Sequence, residues 1–150
     1  MKIMFICTGN ICRSAMAHWL MIKKLEEKNI KNVEVFSAGI HAMNNDIPTE
    51  EGIEVMDEYG VNLRKHRATN IRKSPIEEMD LILVMTVMHK MELVNIYPNL
   101  KKKIFTLKEY VGENEFNIKD PWGYNITTYR MCATEIDRAL DKLIGKWEES

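Results

Sequence analysis

The 150-residue chain is 45% hydrophobic and 29% charged, enough for one well-packed core and too short to expect a second. Its 21 basic and 22 acidic residues are spread along the chain and give a formal net charge of -1, which leaves no electrostatic footprint for a nucleic-acid partner. The start MKIMFIC holds a short apolar run that meets a polar loop, far from the roughly 18 or more apolar residues of a membrane span, so neither export nor membrane insertion is expected. Three cysteines, Cys7, Cys12 and Cys132, cannot all pair within the chain, and their spacing is that of neither a disulfide framework nor a zinc ribbon. The expected location is therefore the cytoplasm, where a free thiol can act as a reagent.

In chain order, residues 2–7 (KIMFIC) read as a fully buried strand. Residues 14–28 follow as a helix on which Met16, Trp19, Leu20 and Leu25 share one broad face. VEVFS at 33–37 alternates as a second strand, and Glu50 to Tyr59, stopped by Gly60, reads as a second helix. SPIEE at 74–78 has the pattern of a capping box, with Ser at N-cap, Pro at N1 and Glu at N3 of a short helix. DLILVM at 80–85 and KIFTL at 103–107 supply two more strands. The last segment is a long helix, because Tyr129, Cys132, Ala133, Ile136, Leu140, Leu143 and Trp147 recur at three- and four-residue steps. The 11 methionines, among them those of MAHWLM and VMHKM, read as core filler. Alternating strands and helices predict an α/β fold: one three-layer domain over 1–150, a four-stranded parallel sheet with helices on both faces.

Ligands of such sheets bind beyond the carboxyl ends of the strands, most often after the first. There the chain reads CTGNICRS, from Cys7 through Thr8, Gly9, Asn10, Ile11, Cys12 and Arg13 to Ser14. Gly9 is expected to let the backbone turn without a Cβ penalty, and a loop wrapping back into a helix aims several N–H groups at one point. With the helix N-terminus and the Arg13 guanidinium they form a cradle for a tetrahedral dianion such as phosphate. The same field favours a thiolate at Cys7, a nucleophile facing bound phosphorus.

The spacing C-x5-R followed by Ser is the signature of cysteine-dependent phosphatases. The full octet at the N-terminus closely resembles that of the low-molecular-weight protein tyrosine phosphatases, as do SAG at 37–39, HRA at 66–68, DLILVM at 80–85 and DPWG at 120–123. The resemblance implies that Cys7 attacks phosphorus and becomes a phosphocysteine, while Arg13 and the loop N–H groups hold the equatorial oxygens. It also implies that Asp120 protonates the leaving atom and then acts as base on water, and that Ser14 donates a hydrogen bond to the Cys7 sulfur. Asn10 would be held in a left-handed conformation, with Ser37 and His66 bracing it. A Cys7–Cys12 disulfide protecting the nucleophile is implied as well. No metal or other cofactor is called for, and the expected partners are phosphorylated proteins, with inorganic phosphate as product and the chain acting as a monomer.

Several of these residues carry a plainer reading. An isolated Asp-Pro most often begins a turn, and His66 in RKHR could be a solvated histidine. Cys12 could be a small core hydrophobe, and Cys132, on the stripe of the last helix, reads as packing.

The residues around the leaving group decide the substrate. Trp122 resembles the aromatic wall that stacks on phosphotyrosine, whereas CTGN, MT with HK at 85–90 and FTLKEYV at 105–111 resemble a bacterial branch of the same family that dephosphorylates arginine. That branch carries a threonine where this chain has Ile11, and an apolar side chain favours an aromatic leaving group. Ile11 would touch the substrate, so phosphotyrosine is the first expectation and phosphoarginine the alternative. Met43 is expected at the position of a further wall residue. Thiol-dependent arsenate reductases share the fold but need two more cysteines near the end of the third strand, where this chain has Ile82 and His89. A phosphate-binding module without catalysis would have no need of Asp120.

Overall fold

The computed structural model describes residues 1–149. Four strands, β1 (Lys2–Cys7), β2 (Glu34–Gly39), β3 (Leu81–Val84) and β4 (Ile104–Thr106), form one parallel sheet in the order β2-β1-β3-β4. The helices are α1 (Arg13–Glu27), α2 (Glu50–Glu58), α3 (Val87–Ile96), α4 (Leu107–Tyr110) and α5 (Ile126–Glu149). All four strands and the two long amphipathic helices expected from the pattern are present.

Strand alternation divides the core. Ile3, Phe5 and Cys7 of β1 join Leu81 and Leu83 in a cluster completed by α1, α2 and α5, while Met4 and Ile6 join Ile82, Val84 and Ile104 on the opposite face. That second face is covered by Leu93 of α3 and by Ile71, Ile76 and Leu100 from short 3-10 turns. Because β1 is sandwiched between β2 and β3, the chain reverses its direction of travel across the sheet at β1, and the crevice at its carboxyl end opens there. Cys7 is the last residue of β1 and Arg13 the first of α1, so the octet is the connection spanning that crevice.

Three local expectations differ from the structure. Residues 74–78 form no capping box: Ser74 is extended (ψ 159°) ahead of Pro75 and closes the preceding 3-10 turn by donating from Oγ to the Ile71 carbonyl at 2.6 Å. The capping box sits instead at the start of α4, where Thr106 and Glu109 bond reciprocally. Of the methionines in VMHKM, Met88 and Met91 face solvent, and α3 buries His89 and Leu93, four residues apart on one face. Finally, Gly9 is not where the loop needs a glycine. It is not at positive φ, and a Cβ there would make only an ordinary contact, 3.6 Å from Ile11 Cγ1.

The glycine the loop depends on is Gly39, at the end of β2. A Cβ built there would lie 2.6 Å from the Thr8 carbonyl oxygen and 2.9 Å from the Asn10 backbone nitrogen, so β2 abuts the loop at a distance only glycine permits. Gly39→Ala is expected to destabilise the protein by about 1–3 kcal/mol in urea unfolding, since backbone must move. Gly145→Ala, in α5 with nothing within 4 Å of the new Cβ, is expected to stabilise it by about 0.5–1 kcal/mol.

Candidate active site

The octet folds back on itself because Asn10 takes a left-handed conformation, φ 57°. Asparagine tolerates that region better than most residues, and here every polar group of its side chain is used. Its Nδ2 donates to Ser14 Oγ at 2.8 Å and to Ser37 Oγ at 3.0 Å, and its Oδ1 accepts from the Thr69 backbone N–H at 3.0 Å. The Thr69 N–H can only donate, which fixes the orientation of the amide.

That orientation propagates. Ser14 Oγ already accepts from Asn10, so its own proton is available to the Cys7 sulfur 2.9 Å away. The Asn10 backbone N–H also donates to Cys7 Sγ, at 3.3 Å. Two donors therefore converge on one buried sulfur. On the other side, Ser37 Oγ is 2.6 Å from His18 Nδ1. Burial pushes His18 down to about 3, so its ring is neutral.

His66 completes the brace. Trp19 Nε1–H donates to His66 Nδ1 at 2.9 Å, which leaves the proton on Nε2 to bond the Asn10 carbonyl at 2.7 Å. The ring is buried, and burial lowers its pKa below the ordinary 6.5, so the solvated-histidine reading does not hold. Ser37 and His66 are thus both at Asn10. His18 and Trp19 stack with ring centroids 4.7 Å apart and brace the loop; the sequence placed Trp19 on a helix face and did not single out His18. HW next to the octet, with one residue polar, was the available signal.

Arg13 is 5% exposed, and its Nη1 donates to the Ile118 carbonyl at 2.8 Å. Its Nη2 lies 3.5 Å from Asp120 Oδ2, which brings the distant Asp-Pro segment over the loop. Arg13 Nε is buried with no hydrogen-bond partner in the protein, a donor whose complement is an anion. The first turn of α1 supports the same ligand: it has no side-chain cap and no acidic residue, so its N–H groups and dipole stay available.

Above the loop is a cleft of about 320 Å³ lined by Cys7, Thr8, Gly9, Ile11, Cys12, Arg13, Asp120 and Trp122. Of its lining, Cys7, Cys12 and Arg13 are buried, while Thr8, Asp120 and Trp122 stand exposed at the rim. Trp122 lines the cleft. Met43 does not: it is 70% exposed in the loop after β2 and is absent from the lining, so the wall residue expected there is not supplied by it. Cys12 is a free thiol like Cys7, pushed up to about 11 by burial, with Tyr129 Oη 3.4 Å from its sulfur. Cys132 is buried in the α5 stripe, as the packing reading requires. A larger depression, about 680 Å³, runs along α3 past Met91, Val94 and Phe116, and its walls hold no thiol, hydroxyl or imidazole. Among the described residues no group of three or more His, Cys, Asp or Glu is placed to hold a metal, and no helix is long and apolar enough to cross a membrane.

Residues 2–150 match the family model described as low molecular weight phosphotyrosine protein phosphatase. Among curated relatives, the chain is 37% identical to a protein-arginine-phosphatase of Geobacillus stearothermophilus, covering 97% of this chain and 95% of that one. It is 36% identical to the low molecular weight protein-tyrosine-phosphatase PtpB of Staphylococcus haemolyticus, over 95% of this chain and 97% of the relative. Of solved structures, the YwlE arginine phosphatase, as a C7S mutant with a phosphorylated active-site serine, superposes with a TM-score of 0.94 at 33% identity, covering 100% and 97% of the two chains. The low molecular weight protein tyrosine phosphatase of T. tengcongensis gives 0.91 at 39% identity, over 97% and 99%. With its cysteine loop at the end of the first strand and a family match running through nearly its whole length, the chain belongs to the low molecular weight phosphotyrosine protein phosphatases.

Proposed function

We propose that the protein hydrolyses phosphotyrosine in proteins through a phosphocysteine on Cys7. The observation that carries the reading is the convergence of the Ser14 hydroxyl and the Asn10 N–H on a buried sulfur beside an arginine whose Nε has no partner. The phosphoryl dianion is held by Arg13 Nε and Nη2 and by the N–H groups of the loop and the α1 terminus. The Cys7 sulfur attacks phosphorus as the bond to the phenolic oxygen breaks, and Asp120, at the rim beside Arg13, delivers its proton to that oxygen. In the second step Asp120 takes a proton from water, which displaces the sulfur and releases inorganic phosphate. Ser14, donating to the departing sulfur, eases that displacement. The phosphorylated serine of the structurally similar C7S protein supports an acceptor role for the nucleophile position. No metal takes part in any of these steps.

The substrate follows from the rim. Ile11 and Trp122 give the leaving group apolar walls, which suits a phenyl ring. Phosphoarginine is the second reading, supported by the curated relatives named protein-arginine-phosphatase, at 37% and 36% identity.

Steady-state hydrolysis of matched phosphotyrosine and phosphoarginine peptides, with Cys7→Ser as blank, tests both. Phosphotyrosine is expected to be preferred, and Ile11→Thr to move the preference toward phosphoarginine; a parent protein that already prefers phosphoarginine overturns the order of the two readings. Asp120→Asn is expected to lower kcat about 10²–10³-fold on substrates with poor leaving groups and far less on activated aryl phosphates. Equal losses on both would remove Asp120 from the role of acid.

A further inference from the structure

Helix α3 is apolar on two faces. One buries His89 and Leu93 against the rest of the protein, and the other carries Val87, Met91 and Val94 at four- and three-residue steps. Met91 is 63% exposed, and this second stripe lines the depression of about 680 Å³ together with the exposed Phe116. A surface helix ordinarily turns one apolar stripe inward and a polar face to water, so a second stripe beside a groove marks an interaction surface. Steps of three and four are also the spacing at which one helix packs on another, so the groove fits an amphipathic helix.

The charges decide which helix. Lys90 Nζ lies 3.0 and 3.1 Å from the two carboxylate oxygens of Glu109, so these two lining charges cancel. Lys101, on the 3-10 turn after α3, also lines the groove; it and Lys102 are exposed and make no ion pair among the described residues. The groove is therefore apolar with a surplus of positive charge. A second copy of this chain would bring the same surplus to a two-fold interface, whereas an acidic helix complements it.

Both sides of the groove belong to elements that reach the cleft. α3 touches it through His89, whose Nε2 lies 2.8 Å from Thr8 Oγ1. Phe116 begins the stretch in which Asn117 Oδ1 accepts from the Val87 N–H at 2.8 Å, the Ile118 carbonyl accepts from Arg13, and Asp120 lines the cleft.

We propose that the α3 groove docks an acidic amphipathic helix of the phosphorylated substrate protein, a segment apart from the phosphorylated residue itself. The inference rests on the phosphatase reading and gives part of the affinity for a protein substrate to a surface that does no chemistry. Binding of that kind is the same in the ground state and the transition state, so it lowers KM and leaves kcat alone.

The test uses one phosphotyrosine peptide in three forms. The first is bare, the second is joined by a short flexible linker to a helix with Leu at three- and four-residue steps and Glu between, and the third carries Lys in place of each Glu. A tail that binds at about 100 μM, at the roughly millimolar effective concentration of a short linker, lowers KM about tenfold. The acidic tail is expected to give that gain with kcat unchanged, and the basic tail to give none. Met91→Glu is expected to abolish the gain, and Lys101→Glu to transfer it from the acidic tail to the basic one. Neither residue lines the cleft, so both variants are expected to turn over the bare peptide at the parent rate. An acidic tail without effect on KM, a gain that survives Met91→Glu, or an equal gain from both tails overturns the proposal. A dimer in sedimentation equilibrium that Met91→Glu dissociates gives the groove to a second copy and overturns it too. Cys7-dependent turnover of the bare peptide with no benefit from the tail leaves the phosphatase reading standing without the docking. A folded protein that turns over none of the three peptides removes both.

Discussion

The active site depends on one strained residue, Asn10, held at φ 57° in the middle of its loop. A non-glycine residue in the left-handed region costs about 1–3 kcal/mol, and such a conformation persists only where the surroundings over-determine it. Here they do so through four hydrogen bonds, from the Asn10 amide to Ser14 and Ser37, from Thr69 to its Oδ1, and from His66 to its carbonyl. An amide NH2 can only donate, so the strain that turns the loop also sets the direction of the Ser14 hydroxyl and hence the hydrogen bonding of the Cys7 sulfur. Backbone conformation and the contacts of the sulfur are therefore a single constraint.

The same constraint separates binding the phosphoryl group from choosing its leaving group. The floor of the cleft is buried, rigid and rich in donors, and it reads a tetrahedral dianion whatever is attached. The rim is exposed and chemically mixed, with Trp122 and Ile11 apolar and Thr8 and Asp120 polar. Under the proposed reading, selectivity among phosphorylated side chains would be set at this rim. The chain is 37% identical to a protein-arginine-phosphatase and 36% identical to a protein-tyrosine-phosphatase.

Much of this was legible in the residues. The continuous apolar runs at β1 and β3 and the three- and four-residue stripe of α5 report burial directly, because periodicity is the local image of a sheet or helix facing a core. Position 74 was misread because a Ser-Pro step satisfies the capping pattern on paper, while in the fold the residue before proline stays extended and serves the preceding turn. The wall assigned to Met43 was misplaced because which loop residue reaches a cleft depends on the path of the whole β2–α2 connection.

The sequence by itself determined the parallel α/β fold and the loop at the end of β1, because each is encoded in short-range pattern, while resemblance to a known family singled out Cys7, Arg13 and Asp120. Only the tertiary structure decided that Gly39 and not Gly9 is the glycine the loop requires, that His18 and Trp19 extend the brace around Asn10, and that His89 stands behind Thr8. Those contacts join residues 19 to 81 positions apart, and no local periodicity records which side chains the packing of sheet and helices will bring within hydrogen-bond reach.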